Sequence, residues 1–282
     1  MSFPMKIRFG EEPTTEWFSS KDNIKVLMLS WPKRGFRSKC YAMIKSTWAD
    51  EPIDVTDDDD DRPEIRETFM NLLTGKVLPN SMEHLLFTFR IEGLTLIEVT
   101  HMLRHRTMSS VHAQCTADRF LHHDSAFIPQ SILNSKFADR YKELTESCKE
   151  LYAEMVDSKD ISLLDARYIL TRNHRYFYYF TMNLKDAMMF INQRKCTQIQ
   201  PELDNVIAHL VHRCISHIVP EFAQVVSLDC GPSCFYVKAP DEDNSRLYKP
   251  DEVHARYVRT DFTTLYDKTR KEMGAGFNPQ DK

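Results

Sequence analysis

Residues 85–106 read LLFTFRIEGLTLIEVTHMLRHR, and the period of the stretch changes halfway. Leu85, Phe87, Phe89 and Ile91 alternate with Thr88, Arg90 and Glu92. Successive side chains on a strand point to opposite faces, so this run predicts a half-buried strand. After Gly93, Leu96, Val99 and Leu103 recur at helical spacing, while His101, Arg104 and His105 share a second face through i+3 and i+4. A strand feeding a helix in this way predicts an α+β fold, with polar groups gathered at the helix's C-terminal end. Consecutive helical residues point about 100° apart, so Arg104, His105 and Arg106 can grip two ligands at once. The plainer reading of an isolated basic triplet is a cationic cap on the helix dipole.

Working outward toward the N-terminus, Ile24 to Leu29 reads as a buried strand, and Trp31 to Gly35 has turn chemistry. The stretch from there to Trp48 is ambiguous. Asp57 to Asp61 are five consecutive acids, which repel one another and predict a solvated loop. Pro63 opens a helix with Ile65, Phe69, Leu72 and Leu73 on one side and Gly75 placed to end it. Toward the C-terminus, a longer amphipathic helix spans about Ala138 to Asp157, with Tyr141, Leu144, Cys148, Leu151 and Met155 as its packing stripe. Leu164 to Leu170 could begin another helix, Tyr176 to Thr181 is strongly aromatic, and Leu184 to Arg194 and Glu202 to Ile218 read as two more helices. Pro201 suits the first turn of the last one. With no repeat and no linker, residues 1–240 read as a single domain and residues 241–282 as a polar extension.

Composition narrows the function. Lys plus Arg total 37 against 41 for Asp plus Glu, a net charge of −4 that gives no global field for nucleic acid. No apolar run approaches the roughly 20 residues of a membrane span, and the N-terminus lacks a secretory pattern. A soluble, cytoplasmic protein is expected. Its seven scattered cysteines are read as reduced thiols. Glycine is scarce, seven in 282 where roughly 7% is usual, and no glycine-rich phosphate loop can be written. Any phosphate must then be held by side chains, which makes arginine the residue to follow.

Arginines recur in order. After Arg104-His105-Arg106 come His112, Gln114, Cys115, Thr116 and Arg119; then Asp165-Ala166-Arg167-Tyr168, Thr181 to Lys185, and Phe190 to Arg194. From Ser81 to about Glu202 this series resembles the flavin-dependent thymidylate synthases, whose hallmark is Arg-His-Arg, seven residues, then Ser. Ser81-x-Glu83-His84 and the strand after it resemble the family's segment before that hallmark, and Asn183 to Arg194 matches its Asn-to-Arg helix without a gap. The resemblance implies that family's fold, a mixed or antiparallel sheet packed with long helices. It implies a pocket for a pyrimidine deoxynucleoside monophosphate formed by Arg104, Arg119, Arg167 and Arg194, with His101, Gln114 and Thr116 at matching positions. Arg194 and Arg104 take the catalytic roles. The same resemblance places Ser81, Glu83, Arg104, His105, Arg106, Asn183, Lys185 and Gln198 around FAD. It further implies methylenetetrahydrofolate as the one-carbon donor, NADPH as reductant, dTMP as product from dUMP, and a homotetramer with shared active sites.

The departures are specific. Gln114 stands where the hallmark has Ser, His101 where the family has Gln, Lys185 where it has Arg, Met189 where Asn is common, and Gln198 where His often contacts flavin. These leave open hydroxymethylation or hydroxylation of dUMP or dCMP, and a nucleotide-binding module without catalysis. Cys115 beside arginine would have a lowered pKa, yet the resembled chemistry needs no thiol. The Cys230–Cys234 pair reads as a turn, and His209, His212 and His217 read as ordinary helix histidines, so no metal is expected.

Overall fold

The alternating run lies in the interior of a six-stranded sheet. The computed structural model describes residues 6–9, 13–19, 24–105, 110–113, 126–195 and 201–225. Its strands are β1 (Lys6–Phe9), β2 (Pro13–Ser19), β3 (Ile24–Ser30), β4 (Leu86–Thr95), β5 (Ser110–Ala113) and β6 (Arg175–Asn183), in the order β1-β2-β3-β4-β6-β5. The helices are α1 (Phe36–Ser46), α2 (Pro63–Leu73), α3 (Leu96–Met102), α4 (Gln130–Leu133), α5 (Ala138–Ser158), α6 (Leu163–Ala166), α7 (Leu184–Arg194), α8 (Glu202–Ile218) and α9 (Phe222–Val225). The fold is α+β, and the strands pair antiparallel. The tail expected from residue 241 lies outside the described residues.

The predicted inner face of β4 is the core. Phe87, Phe89 and Ile91 have no exposed surface, and burying each such side chain contributes about 2–3 kcal/mol. β6 lies against it, with the Phe89 and Phe180 rings 5.2 Å apart. Tyr176, Tyr178, Phe180 and Met182 are buried while Arg175, Phe177, Tyr179 and Thr181 are half-buried. This alternation could not show in polarity because both faces of β6 are aromatic. At Gly93 (φ +89°) the β4–β6 register shifts between Glu92 and Leu94, a bulge that a left-handed glycine permits. α8 covers β2, β3 and β4 and leans on α7.

Two expectations are corrected here. The acidic run is not a loosely solvated loop: Asp57–Asp61 forms a 3₁₀ turn, and the buried Asp60 accepts from Gly35 N (3.1 Å), Ser38 N (2.8 Å) and Arg37 (3.5 Å). Arg37 in turn makes a two-pronged bond to Glu221, 2.9 Å on each prong, and stacks on Phe36. The repulsion is offset by cations on neighbouring turns: Lys39 pairs with Asp57, Arg34 with Asp58, Arg62 with Asp59 and Arg66 with Asp61. Gly35 (φ +85°) is required there, since a Cβ would stand 2.0 Å from the Asp57 carboxylate.

The α5 stripe is the second correction. α5 buries Thr145 and Tyr152, the latter against Ala166 and Tyr176, whereas Leu144 and Leu151 are 58% and 44% exposed. The large Tyr152 ring decides which side faces inward, and that leaves two of the five expected stripe residues, Leu144 and Leu151, at the surface.

Candidate active site

The site is assembled where α3, α7 and α8 meet. α3 begins at Thr95, whose hydroxyl accepts from Ile97 N; the buried Glu98 accepts from Thr95 N (2.9 Å) and its hydroxyl (2.5 Å). This capping box fixes the helix start. The helix stops at Met102, earlier than the spacing predicted, and Leu96 and Leu103 are exposed while Val99 and Met102 are buried. Arg104 and His105 therefore lie in the turn after the helix instead of on its last face.

α7 starts at Asn183, whose Oδ1 accepts from Asp186 N at 2.8 Å, and its last residue is Arg194. Asn205 of α8 donates to the Arg194 carbonyl at 2.7 Å, which ties the two helix ends together. The Arg194 side chain is buried and held by named partners. Nε donates to His105 Nε2 (3.1 Å), one terminal nitrogen donates to the His101 carbonyl (2.8 Å), and the other stands 3.7 Å from Asp204 Oδ2. The same Asp204 oxygen is 2.6 Å from His101 Nδ1. Burial pulls the Arg194 pKa down and the positive charge of Arg104 adds to that, while Asp204 opposes it. Burial likewise pushes Asp204 up, against the His101 hydrogen bond and the Arg194 charge. Arg194 keeps its charge, because a guanidinium starts far above any working pH.

His105 is pushed down to about 4 from the ordinary 6.5, first by burial and then by Arg194. It accepts from Arg194 through Nε2, so its hydrogen is on Nδ1; its ring meets Phe190 edge-on, centroids 5.2 Å apart. We expect NMR to show a neutral His105 with that tautomer from about pH 5 to 8, where an unperturbed histidine titrates. A midpoint near 6.5 would contradict the arrangement. Because the folded value is depressed, the stability linked to His105 is complete above the ordinary imidazole range and is lost as pH falls from about 6.5 toward about 4.

The expected cofactor residues are partly gathered. Glu83 and Lys185, 102 positions apart, form an ion pair at 2.9 Å. Ser81 is buried in the preceding 3₁₀ turn, Pro79–His84. The four arginines are not all brought together within the described residues. Arg104 and Arg194 share one corner, but Arg167 lies in a 3₁₀ turn beside α5 and α6 with its guanidinium over the Tyr168 ring. Arg106, Gln114, Cys115, Thr116, Arg119 and Gln198 lie outside the described residues, as do Cys230 and Cys234.

Sequence reasoning missed Asp204, Glu98 and Asn205. Asp204 and Glu202 resemble first-turn acids that any helix N-terminus favours. The available signal was Asp204 and Asn205 standing inside a run that is otherwise apolar, Leu203, Val206, Ile207 and Ala208. Two turns farther along α8, His212 Nδ1 meets the Lys195 ammonium at 3.0 Å. Burial, then Lys195 and Arg213, hold His212 down at about 3, and burial followed by Arg213 lowers Lys195 to about 8. Among the described residues no cluster of three metal-ligating side chains occurs, Cys40, Cys148 and Cys214 are free thiols, and no helix is long and apolar enough to cross a membrane.

Residues 34–221 match the family model described as thymidylate synthase complementing protein. A flavin-dependent thymidylate synthase from Thermococcus onnurineus (strain NA1) is 26% identical over 192 residues, covering 66% of this chain and 76% of the relative. One from Pyrococcus furiosus is 24% identical over 192 residues, covering 65% and 75%. A crystal structure of the UMP/dUMP methylase PolB from Streptomyces cacaoi, bound with 5-Br dUMP, superposes with a TM-score of 0.57 at 18% identity, covering 72% of this chain and 94% of that one. At that identity the likeness concerns the fold.

Proposed function

The chain belongs to the thymidylate synthase complementing protein family, and from that premise we propose that it transfers a one-carbon unit from methylenetetrahydrofolate to C5 of dUMP, with FAD bound and NADPH as reductant, giving dTMP. It is an enzyme of the flavin-dependent thymidylate synthase kind. The observation that carries the reading is Arg194. A buried guanidinium fixed by His105 and the His101 carbonyl is set before the reaction begins. Such a charge stabilises the negative charge that a pyrimidine gains as C5 reacts, with no reorganisation during the step. Arg104 beside it supplies a second cation for the monophosphate. The 5-Br dUMP held by the structural neighbour supports a uracil nucleotide.

The residues present fit a flavin. Lys185 and Arg104 are cations suited to a pyrophosphate, and Leu86 and Met189, 47% and 51% exposed, offer apolar surface for a flat ring close to the Glu83–Lys185 pair. Ser81, His105 and Asn183 would complete the set. When bound, the flavin supplies the reducing electrons that side chains lack. The catalytic unit falls within residues 1–240, and the assembly is a homotetramer with shared sites, located in the cytoplasm. Two features support the tetramer: Arg167 stands apart from Arg194, and Phe137, Leu144 and Leu151 expose an apolar stripe along α5 at seven-residue intervals.

Parallel incubations of the FAD-loaded protein with dUMP or dCMP, each with methylenetetrahydrofolate and NADPH, followed by mass analysis of the nucleotide, test the reading. We expect dTMP. A hydroxymethyl or hydroxyl product, or a product from dCMP alone, would replace the reading with the related C5 modification. Unchanged nucleotides would indicate a binding module.

A further inference from the structure

Asp204 and His101 form a pair that the proposed reaction has so far left unused. We propose that His101, oriented by Asp204, accepts the proton that leaves C5 of the pyrimidine. This rests on the C5 transfer proposed above. Exchanging C5–H for C5–C breaks the C–H bond, leaves its electrons in the ring and sends a proton to a base. The electrons that convert the one-carbon unit to methyl come from the reductant, so the base handles the proton alone.

The geometry favours His101 for that task. Asp204 is 1% exposed and its Oδ2 lies 2.6 Å from His101 Nδ1, with Arg194 at 3.7 Å on the same oxygen. A carboxylate flanked by arginine accepts, so Nδ1 carries the hydrogen and the lone pair is on Nε2. The His101 side chain keeps 23% of its surface open, so a ligand reaches the pair from the histidine side. Its own carbonyl holds the Arg194 guanidinium at 2.8 Å, which keeps the imidazole beside the group assigned to the base. A proton taken on Nε2 would leave an imidazolium whose charge Asp204 balances, the logic of a base oriented by a buried acid.

The neighbouring groups are committed elsewhere. His105 uses Nε2 to accept from Arg194, and Glu98 is bound to Thr95. The charged and titratable groups around His101 are Glu98 and Arg104 from α3 and the turn after it, His105 from that turn, Arg194 from α7 and Asp204 from α8. Asp204 is a positioning residue.

The test uses the FAD-loaded full chain, with turnover and deuterium release from dUMP labelled at C5. For His101→Phe, which keeps a ring's bulk without a proton acceptor, we expect kcat and deuterium release to fall about 10²–10³-fold while dUMP binding stays within a few-fold; His101→Gln, which installs the residue the family has at this position, is expected to fall less. For Asp204→Asn, which frees the ring to take the other tautomer, we expect kcat to fall about tenfold or more with KM little changed. Turnover and deuterium release retained in His101→Phe would overturn the proposal and leave the C5 transfer standing. Should either variant fail to fold, deuterium release by the other decides, and release at the unsubstituted rate would overturn the proposal. No C5 chemistry by the unsubstituted protein would overturn both readings.

Discussion

Arg194→Ala is expected to lower turnover about 10³-fold or more while FAD uptake stays intact. Removing a single preorganised donor to a developing anion costs about 10²–10³ in rate, and Arg194 supplies both a donor and a full charge. Its burial means that water does not restore either one. The substitution also has a structural cost. Among the described residues Asp204 would keep only the His101 hydrogen bond, in a site where it is 1% exposed, and the His105 Nε2 acceptor would lose its Arg194 donor. Leaving a buried carboxylate partly compensated costs about 2 kcal/mol or more, so urea unfolding must accompany the kinetics. Arg194→Lys separates the effects: it keeps a charge but not the fork that reaches both His105 and the His101 carbonyl. Turnover near the unsubstituted level in Arg194→Lys would show that charge alone suffices.

Asp60→Ala is expected to be the most destabilising change in the acidic run, by about 3 kcal/mol. The carboxylate satisfies the backbone N–H groups of Gly35 and Ser38 and balances Arg37, all in the interior. Its removal strands two donors at about 1–3 kcal/mol each before relaxation. Burial works to raise the Glu221 carboxyl, but the Arg37 hydrogen bonds and charge hold it below its ordinary value. The Arg37–Glu221 contribution is therefore present above the ordinary carboxylate range and lost as pH falls through the folded value. Asp58→Ala is the control, because its pair with Arg34 is 84% and 71% exposed and screened by solvent. Equal urea midpoints for Asp60→Ala and Asp58→Ala would refute the buried role.

The legible parts of the fold were those with one dominant signal. The Leu85–Ile91 alternation, Pro63 opening α2, and the bounds of α7 and α8 needed only period and capping chemistry, and the structure has them where expected. Within Asp57–Asp61 like-charge repulsion alone predicts a loop, but the offsetting cations come from outside the run, from Arg34, Arg37, Lys39, Arg62 and Arg66. In α5, Leu144 and Leu151 have helical spacing, but the tertiary partner is Tyr152, and no local pattern distinguishes a stripe buried in its own chain from one left open. At the site, the order of arginines pointed to Arg104 and Arg194. The residues that fix Arg194 were not legible, since Asp204 and Asn205 reach it from a separate helix and His101 contributes a backbone carbonyl.

The most direct test of the central claim is a crystal structure of the FAD-loaded protein with dUMP. A pyrimidine carbonyl oxygen is expected within hydrogen-bonding distance of the Arg194 guanidinium, with C5 on the His101 Nε2 side. A nucleotide bound with its base elsewhere, while Arg194 still holds His101, His105 and Asp204 and touches no nucleotide atom, would contradict it.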